Sequence, residues 1–98
     1  MPSTVETSDI EAAGNAVSLR TLGHDTISVH IRGDAAADYE VDVATESGTW
    51  IQGGGPSYSG AADYDDVIQT GAERLRVRCT SGTGTAGNQA TITLMAGG

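Results

Sequence analysis

The chain has 98 residues and a formal net charge of −8, with 13 acidic residues against five basic ones, all of them arginine. A chain of this length forms one domain with a small core. Its acidity excludes nucleic-acid binding and docking on anionic lipid, which need cationic side chains. A single cysteine excludes an internal disulfide, and no cluster of cysteine and histidine suggests zinc, so no cofactor is expected.

The N-terminal residues 1–15 contain few apolar anchors, and we interpret them as an arm or a first strand in front of a β-sandwich domain at 16–98. Only the segment from Ser8 to Ala16 has any helical character, and Gly14 and Asn15 would end it. The N-terminal residues have neither the basic region nor the apolar region of a signal peptide, so we expect none. No apolar run in the sequence approaches the roughly 20 residues that span a bilayer.

The rest of the chain alternates apolar and polar residues, a period-two pattern typical of strands that are buried on one face. The pattern predicts strands at 17–22, 27–32, 39–44, 74–79 and 91–95, with further candidates at 4–10, 49–52 and 63–69.

Turn-forming residues separate these strands, at 23–25, 33–37, 46–48, 53–60 and 81–88. About seven or eight short strands at this spacing predict an all-β fold, a single antiparallel β-sandwich or jelly roll.

Three local motifs are explained by the turns and strand ends of this fold and need not indicate a binding or catalytic site. Gly82, Gly84 and Gly87 match G-x-G-x-x-G, but a strand follows them where a dinucleotide site needs a helix, which indicates a hairpin loop. Arg32-Gly33-Asp34 is interpreted as a strand end and a glycine turn. The segment 53–60 lacks the G-x-S-x-G spacing of a nucleophile elbow.

No acid–base pair for catalysis can be assembled from the two histidines, His24 and His30. The alternation places His30 on the outer face of its strand, beside Ser28 and Arg32. We therefore expect no enzymatic activity and no catalytic residues.

Asp63, Asp65 and Asp66 form a small acidic cluster in a segment predicted as a loop. Calcium prefers several carboxylate oxygens on a flexible segment, so the three are a calcium candidate. The alternative is a solvated acidic loop with no ion.

Arg74, Arg76 and Arg78 lie on one face of one predicted strand, and three like charges in a row repel unless they are partnered. One interpretation is cross-strand pairing with Glu40 and Asp42 in the same sheet. The other is an interface in which the arginines grip an acidic face of a second subunit, since the guanidinium fork binds carboxylates bidentately.

Trp50, Tyr58 and Tyr64 are candidates for an aromatic glycan contact, although a lone tryptophan in a small sandwich usually fills the core. Tyr39 follows the inward alternation of its strand and is expected in the core.

Three stretches carry a resemblance to a known class of protein: HDTISVHIRG, DYEVDVATESGTWIQ and GAERLRVRCTSGTGTAGNQATITL. Over about residues 16–96 their order resembles small β-sandwich modules in structural proteins of tailed viruses. Those modules carry a D-G-x-x-W motif, of which Gly48 and Trp50 remain here at a spacing one residue shorter. The resemblance implies a fold and a virion context, without catalytic residues.

The absence of lysine from an acidic chain rich in alanine, threonine and glycine resembles proteins of halophilic archaea and their viruses. Dense surface carboxylates stay hydrated in concentrated salt, where charge repulsion is screened. The sequence therefore predicts a non-enzymatic virion protein of a halophilic tailed virus, assembled in the cytoplasm of its host.

Such a protein would decorate the capsid or form a turret on it as a homo-oligomer, contacting the major capsid protein or other virion proteins. The alternatives are a carbohydrate-binding module for attachment to host surface glycans and a tail or baseplate appendage.

Overall fold

The computed structural model describes residues 4–10, 16–81 and 90–96, which contain six β-strands and no helix. The strands are β1 (Thr4–Ile10), β2 (Ala16–Arg20), β3 (Thr26–Ala44), β4 (Ser57–Gln69), β5 (Arg74–Ser81) and β6 (Ala90–Ala96). All pairings between these strands are antiparallel. Within this part of the chain no helix could cross a membrane.

Two long strands, β3 and β4, build both layers of a sandwich. The first half of β3 pairs with β6, and β6 pairs with β1, which gives the first layer. The second half of β3 pairs with β5, and β5 pairs with β2, which gives the second layer. β4 runs beside β3 through both layers, and β3 is its only strand partner among the described residues.

The expected antiparallel β-sandwich is thus confirmed, but the segments 27–32 and 39–44 are two halves of one 19-residue strand. The turn expected at 33–37 is a bend within β3, where the register with β4 shifts between Arg32 and Ala37 and again between Ala37 and Tyr39. Asp38 holds the bend, because its carboxylate accepts hydrogen bonds from the Gly60 N–H and the Ser81 hydroxyl, both at 2.9 Å. Such irregularities bend a strand and allow it to join two layers.

The core lies between the layers and takes the inward side chains that the alternation predicts. Tyr39 is among them, as expected, and is almost completely buried. The fully buried side chains include Ile27, Val29, Ile31, Val41, Leu75, Val77, Cys79, Ile92 and Leu94.

Other segments differ from the sequence-based expectations. The acidic cluster lies within strand β4, so the candidate strand at 63–69 is confirmed and the loop interpretation of the cluster is wrong. The candidate strand around Trp50 is reduced to a single bridge between Ile51 and Val43. Ser8–Ile10, expected to have helical character, belongs to β1. The glycine loop at 82–87 and the turn at Gly14 and Asn15 lie outside the described residues.

The segment 51–56 continues the line of β4 along the second half of β3. Val41 N–H donates to the Pro56 carbonyl at 3.0 Å, and Gly55 N–H donates to the Val41 carbonyl at 3.1 Å. Glycine is required for this approach, because a Cβ built on Gly54 or Gly55 would lie 2.7 Å from a methyl group of Val43 or Val41. The glycine-rich sequence at 53–55 therefore serves close packing of backbone on β3.

Candidate functional site

The outer face of the first layer carries a compact group of polar side chains, which we call the polar face. It consists of Ser28, His30, Arg32, Asp63, Asp65, Thr91 and Thr93. The register aligns them in rows across β4, β3 and β6: Asp65, His30 and Thr93 form one row, and Asp63, Arg32 and Thr91 form the next. The polar face thus presents hydrogen-bond donors and acceptors from three adjacent strands.

At the centre of the polar face, Asp65 binds both His30 and Arg32. Its Oδ1 lies 2.7 Å from Nδ1 of His30, and its Oδ2 accepts a 3.1 Å hydrogen bond from Nη2 of Arg32. The hydrogen bond with His30 and the interactions with Arg32 hold the pKa of Asp65 below its usual range. The three side chains are 39, 55 and 55% exposed for His30, Arg32 and Asp65, so they are ordered by one another and still reachable by a ligand.

Apolar side chains border the polar face at one end. Val67 on β4 and Met95 on β6 flank Ser28 in the register, and the two are 62 and 43% exposed. The surface therefore changes from apolar to charged across three rows, and a ligand lying over it would meet both kinds of contact.

Tyr58 and Tyr64 lie together where β4 forms the edge of the sandwich. Their ring centroids are 4.6 Å apart, and the Tyr58 hydroxyl donates a 2.8 Å hydrogen bond to Asp66. Tyr58 is buried, and its burial and the bond to Asp66 raise the pKa of its hydroxyl well above the usual value. Tyr64 is 43% exposed.

The arginines of β5 occupy the outer face of the second layer and are partnered within the chain. Arg76 and Arg78 each donate from Nε to Oδ2 of Asp42, at 2.7 and 3.0 Å, and Arg78 also pairs with Glu40. Asp42 is completely buried, and its Oδ1 accepts a hydrogen bond from the Gly53 N–H. Burial alone would raise the pKa of Asp42, but the bonds from Arg78, Gly53 and Arg76 together lower it.

Trp50 packs on these arginines and not in the core. The guanidinium carbons of Arg74 and Arg76 lie 4.7 and 4.5 Å from its ring centroid, which is cation–π geometry. Arg74 also donates hydrogen bonds to the carbonyls of Thr45 and Gly48. The expected cross-strand pairing of the arginine row is therefore present, while the intersubunit interface through Arg74, Arg76 and Arg78 stays a prediction.

The structure does not bring together all members of the two other candidate sites, the glycan contact and the calcium site. Among the glycan candidates, Tyr58 and Tyr64 are in contact, whereas Trp50 lies against the arginines of the second layer. In the calcium candidate, Asp65 binds His30 and Asp66 binds Tyr58, on opposite sides of β4. The described part of the chain holds no group of three or more acidic, histidine or cysteine side chains that could bind a metal ion.

Alternation along the chain places His30 and Arg32 on an outer face but does not identify Asp65 as their partner. The available signal was the alternation of 63–69, in which Asp63, Asp65 and Val67 share one side. That signal needs the pairing of β4 with β3, which spacing along the chain does not supply.

A search with protein-family profiles finds no family that matches the chain, and a search of curated proteins finds no relative. Among solved structures, the chain shares its fold with small β-sandwich modules. One is a family 29 carbohydrate-binding module, at a TM-score of 0.57 and 12% identity, with 89% of this chain and 65% of the module aligned. Another is the family 32 carbohydrate-binding module of AlyQ in complex with 4,5-unsaturated mannuronic acid, at a TM-score of 0.59 and 8% identity, over 94% of this chain and 78% of that one.

A third similar structure is the SPBc2 prophage-derived protein YomS. It aligns at a TM-score of 0.64 and 13% identity over 97% of this chain and 94% of YomS. The match spans nearly the whole of both chains, whereas this chain spans about two thirds of the length of the family 29 module. At these identities the similarity establishes the shared β-sandwich fold.

Proposed function

We propose that this protein is a non-catalytic β-sandwich module that binds a glycan through the polar face. The observation that carries the proposal is the His30–Asp65–Arg32 cluster, in which three half-exposed polar side chains are held by mutual hydrogen bonds on the outer face of the first layer. Sugar hydroxyls need such donors and acceptors, and a cluster that is already ordered loses little side-chain entropy on binding.

The apolar border supports the same ligand class. A pyranose ring offers hydroxyls at its rim and C–H groups on its faces, so it matches a surface where Val67 and Met95 adjoin polar rows. Two structural neighbours support the proposal as well, since a family 29 module with this fold was solved with cellohexaose and a family 32 module with a mannuronic acid.

Titration calorimetry with cellohexaose and with a mannuronate oligosaccharide tests the proposal. We expect Arg32→Ala and His30→Ala each to weaken binding by about tenfold, the factor that 1.4 kcal/mol represents. Arg20→Ala is the matched control, because Arg20 is an equally exposed arginine that pairs with Glu46 away from the polar face. Absence of binding to both glycans, or equal affinities of the Arg32→Ala and Arg20→Ala proteins, would refute the proposal.

We further propose that the module is a virion component, either on the capsid or on the tail, and that its host is halophilic. The match over nearly the full length of a prophage-derived protein supports the viral role, and the absence of lysine from an acidic chain supports the halophilic host. Particles purified on a density gradient should contain this chain in a fixed ratio to the major capsid protein. If purified particles lack this chain, the virion role is excluded, whereas the proposal of glycan binding is unaffected.

A further inference from the structure

The exposed aromatic ring of Tyr64 lies on the opposite side of β4 from the polar face. Tyr64 pairs in register with Ile31, which is completely buried, so its side chain leaves β4 on the side that faces the core. No strand among the described residues lies beyond β4, and Tyr64 is still 43% exposed. The ring thus stands at the open side of the sandwich, where solvent reaches it.

The buried ring of Tyr58 packs against the ring of Tyr64 and holds it in position. Tyr58 lies against it with an angle of 36° between the ring planes, and Tyr58 is itself anchored by its hydrogen bond to Asp66. The second oxygen of Asp66 accepts the Val67 N–H at 2.8 Å. An exposed aromatic side chain braced in this way has already lost most of the rotational freedom that ligand binding would remove.

Arg32 connects the ring's segment of β4 to the polar face. Its Nη1 lies 3.5 Å from the Tyr64 carbonyl oxygen, and its Nη2 binds Asp65, the next residue along β4. Only the backbone of the edge strand β4 therefore separates the aromatic ring from the polar cluster.

We infer that Tyr64 is a stacking subsite for one pyranose ring of the glycan that the polar face binds. The inference rests on the proposed glycan function and deepens it. A tyrosine face attracts the partly positive C–H groups of a sugar, so the subsite selects pyranoses with equatorial hydroxyls, whose axial C–H groups form a flat apolar face. A β-linked glucan such as cellohexaose has this geometry in every unit.

The test combines calorimetry and proton NMR with cellohexaose. Tyr64→Ala should weaken binding by about tenfold, comparable to the loss of one base–aromatic stack, whereas Tyr64→Phe should bind as the unaltered protein does. Ligand C–H resonances should move upfield on binding to the unaltered protein through the ring current, and this shift should vanish in Tyr64→Ala. Ile51→Ala is the control, because Ile51 is also an exposed large apolar side chain and lies beside the second layer.

The outcomes separate the two proposals. If Arg32→Ala weakens binding and Tyr64→Ala does not, the stacking subsite is wrong and the glycan function stands. If Tyr64→Phe loses as much affinity as Tyr64→Ala, the hydroxyl and not the ring makes the contact, which also overturns the inference. If the unaltered protein binds no glycan, both proposals fall.

Discussion

The carboxylate of Asp42 accepts a 2.7 Å hydrogen bond from Nε of Arg76, and no part of the aspartate side chain is exposed. The pair lies on the outer face of the second layer, where period-two alternation predicts solvent. It is buried because Arg78 and the Gly53 N–H bind the same carboxylate from two further directions. The face of this layer is therefore closed by an ionic network, whereas the polar face of the first layer is open.

Asp42→Asn should destabilise the fold strongly. The amide keeps the size of the side chain but removes the charge that compensates two arginines, Arg76 and Arg78, both mostly buried. Removing one partner of a buried ion pair typically costs about 3 kcal/mol of unfolding free energy. Urea unfolding followed by circular dichroism measures the loss. Asp63→Asn controls for removing one carboxylate from an exposed position, and a similar small effect of both changes would contradict the importance of the network.

Stability should fall in acid because of three aspartates whose pKa values lie below the ordinary 3.8. Hydrogen bonds from Gly60 and Ser81 lower the pKa of Asp38, the His30 and Arg32 interactions lower that of Asp65, and the arginines and Gly53 overcome burial at Asp42. A lowered folded pKa adds stability that is present above pH 3.8 and is lost as the pH falls through the folded value.

Unfolding free energies measured between pH 7 and pH 2 test this. Relief of the −8 charge acts in the opposite direction, so the informative quantity is the difference between the unaltered protein and Asp42→Asn. That difference should be constant above about pH 5 and should shrink below pH 4. A difference that grows in acid would mean that Asp42 is stabilised in its protonated form.

Much of the fold follows from alternation alone, because in a strand the period of two determines which face each side chain occupies. It places Tyr39 in the core and His30 outside, and it identifies Glu40 and Asp42 as cross-strand partners for Arg76 and Arg78. These contacts need only neighbouring strands, and cross-strand pairs of opposite charge are favourable in any such register.

The remainder depends on pairing and bending that no local pattern encodes. Turn-forming residues at 33–37 predict a break, yet β3 continues through them, with Gly33 paired to Ala90 of β6 and Ala37 paired to Ala61 of β4 on either side of the bend, so tertiary context overrides local propensity. The contact of Asp65 with His30 requires β4 to pair with β3, and that of Tyr64 with Tyr58 requires β4 to follow β3 through the bend. Trp50 reaches the arginines through a loop, whose path the alternation does not describe.

Gly54→Ala and Gly55→Ala should each be destabilising. The added methyl group would lie 2.7 Å from Cγ2 of Val43 or Cγ1 of Val41, and relieving such an overlap costs about 1–3 kcal/mol. Gly71→Ala is the matched control, because nothing lies within 4 Å of its built Cβ. There the reduced entropy of the unfolded chain should leave stability equal or slightly higher. Thermal melting of the three variants gives the ranking, and equal melting temperatures would show that the 51–56 segment does not pack closely on β3.

Charge reversal of the arginine row distinguishes its two interpretations. If the row serves the fold, Arg76→Glu and Arg78→Glu will lower the unfolding free energy, since each places a carboxylate beside buried Asp42. If it serves a subunit interface, Arg74→Glu will reduce the oligomer mass while the monomer stays folded. We expect the first result for Arg76 and Arg78. Light scattering and circular dichroism on the same samples in high salt decide the matter, and stably folded Arg76→Glu protein would refute the structural role.

Removing the hydroxyl of Tyr39 and removing that of Tyr58 should change the stability of the fold in opposite directions. The Tyr39 hydroxyl is buried and has no hydrogen-bond partner among the described residues, while the Tyr58 hydroxyl donates to Asp66. An unsatisfied buried hydroxyl carries a desolvation cost of about 1–3 kcal/mol, so Tyr39→Phe should raise stability. Tyr58→Phe removes a hydrogen bond to a charged group and should lower stability by about 1–2 kcal/mol.

Both variants delete one oxygen atom from a buried ring, so each controls for the other. Urea midpoints that move in opposite directions are the expected result, with an unchanged dependence of free energy on urea concentration. A loss of stability in Tyr39→Phe would mean that its hydroxyl is satisfied in solution. In Tyr58→Phe, weaker glycan binding together with lower stability would connect the brace behind Tyr64 to ligand recognition, since the ring of residue 58 would remain while its anchor on Asp66 is lost.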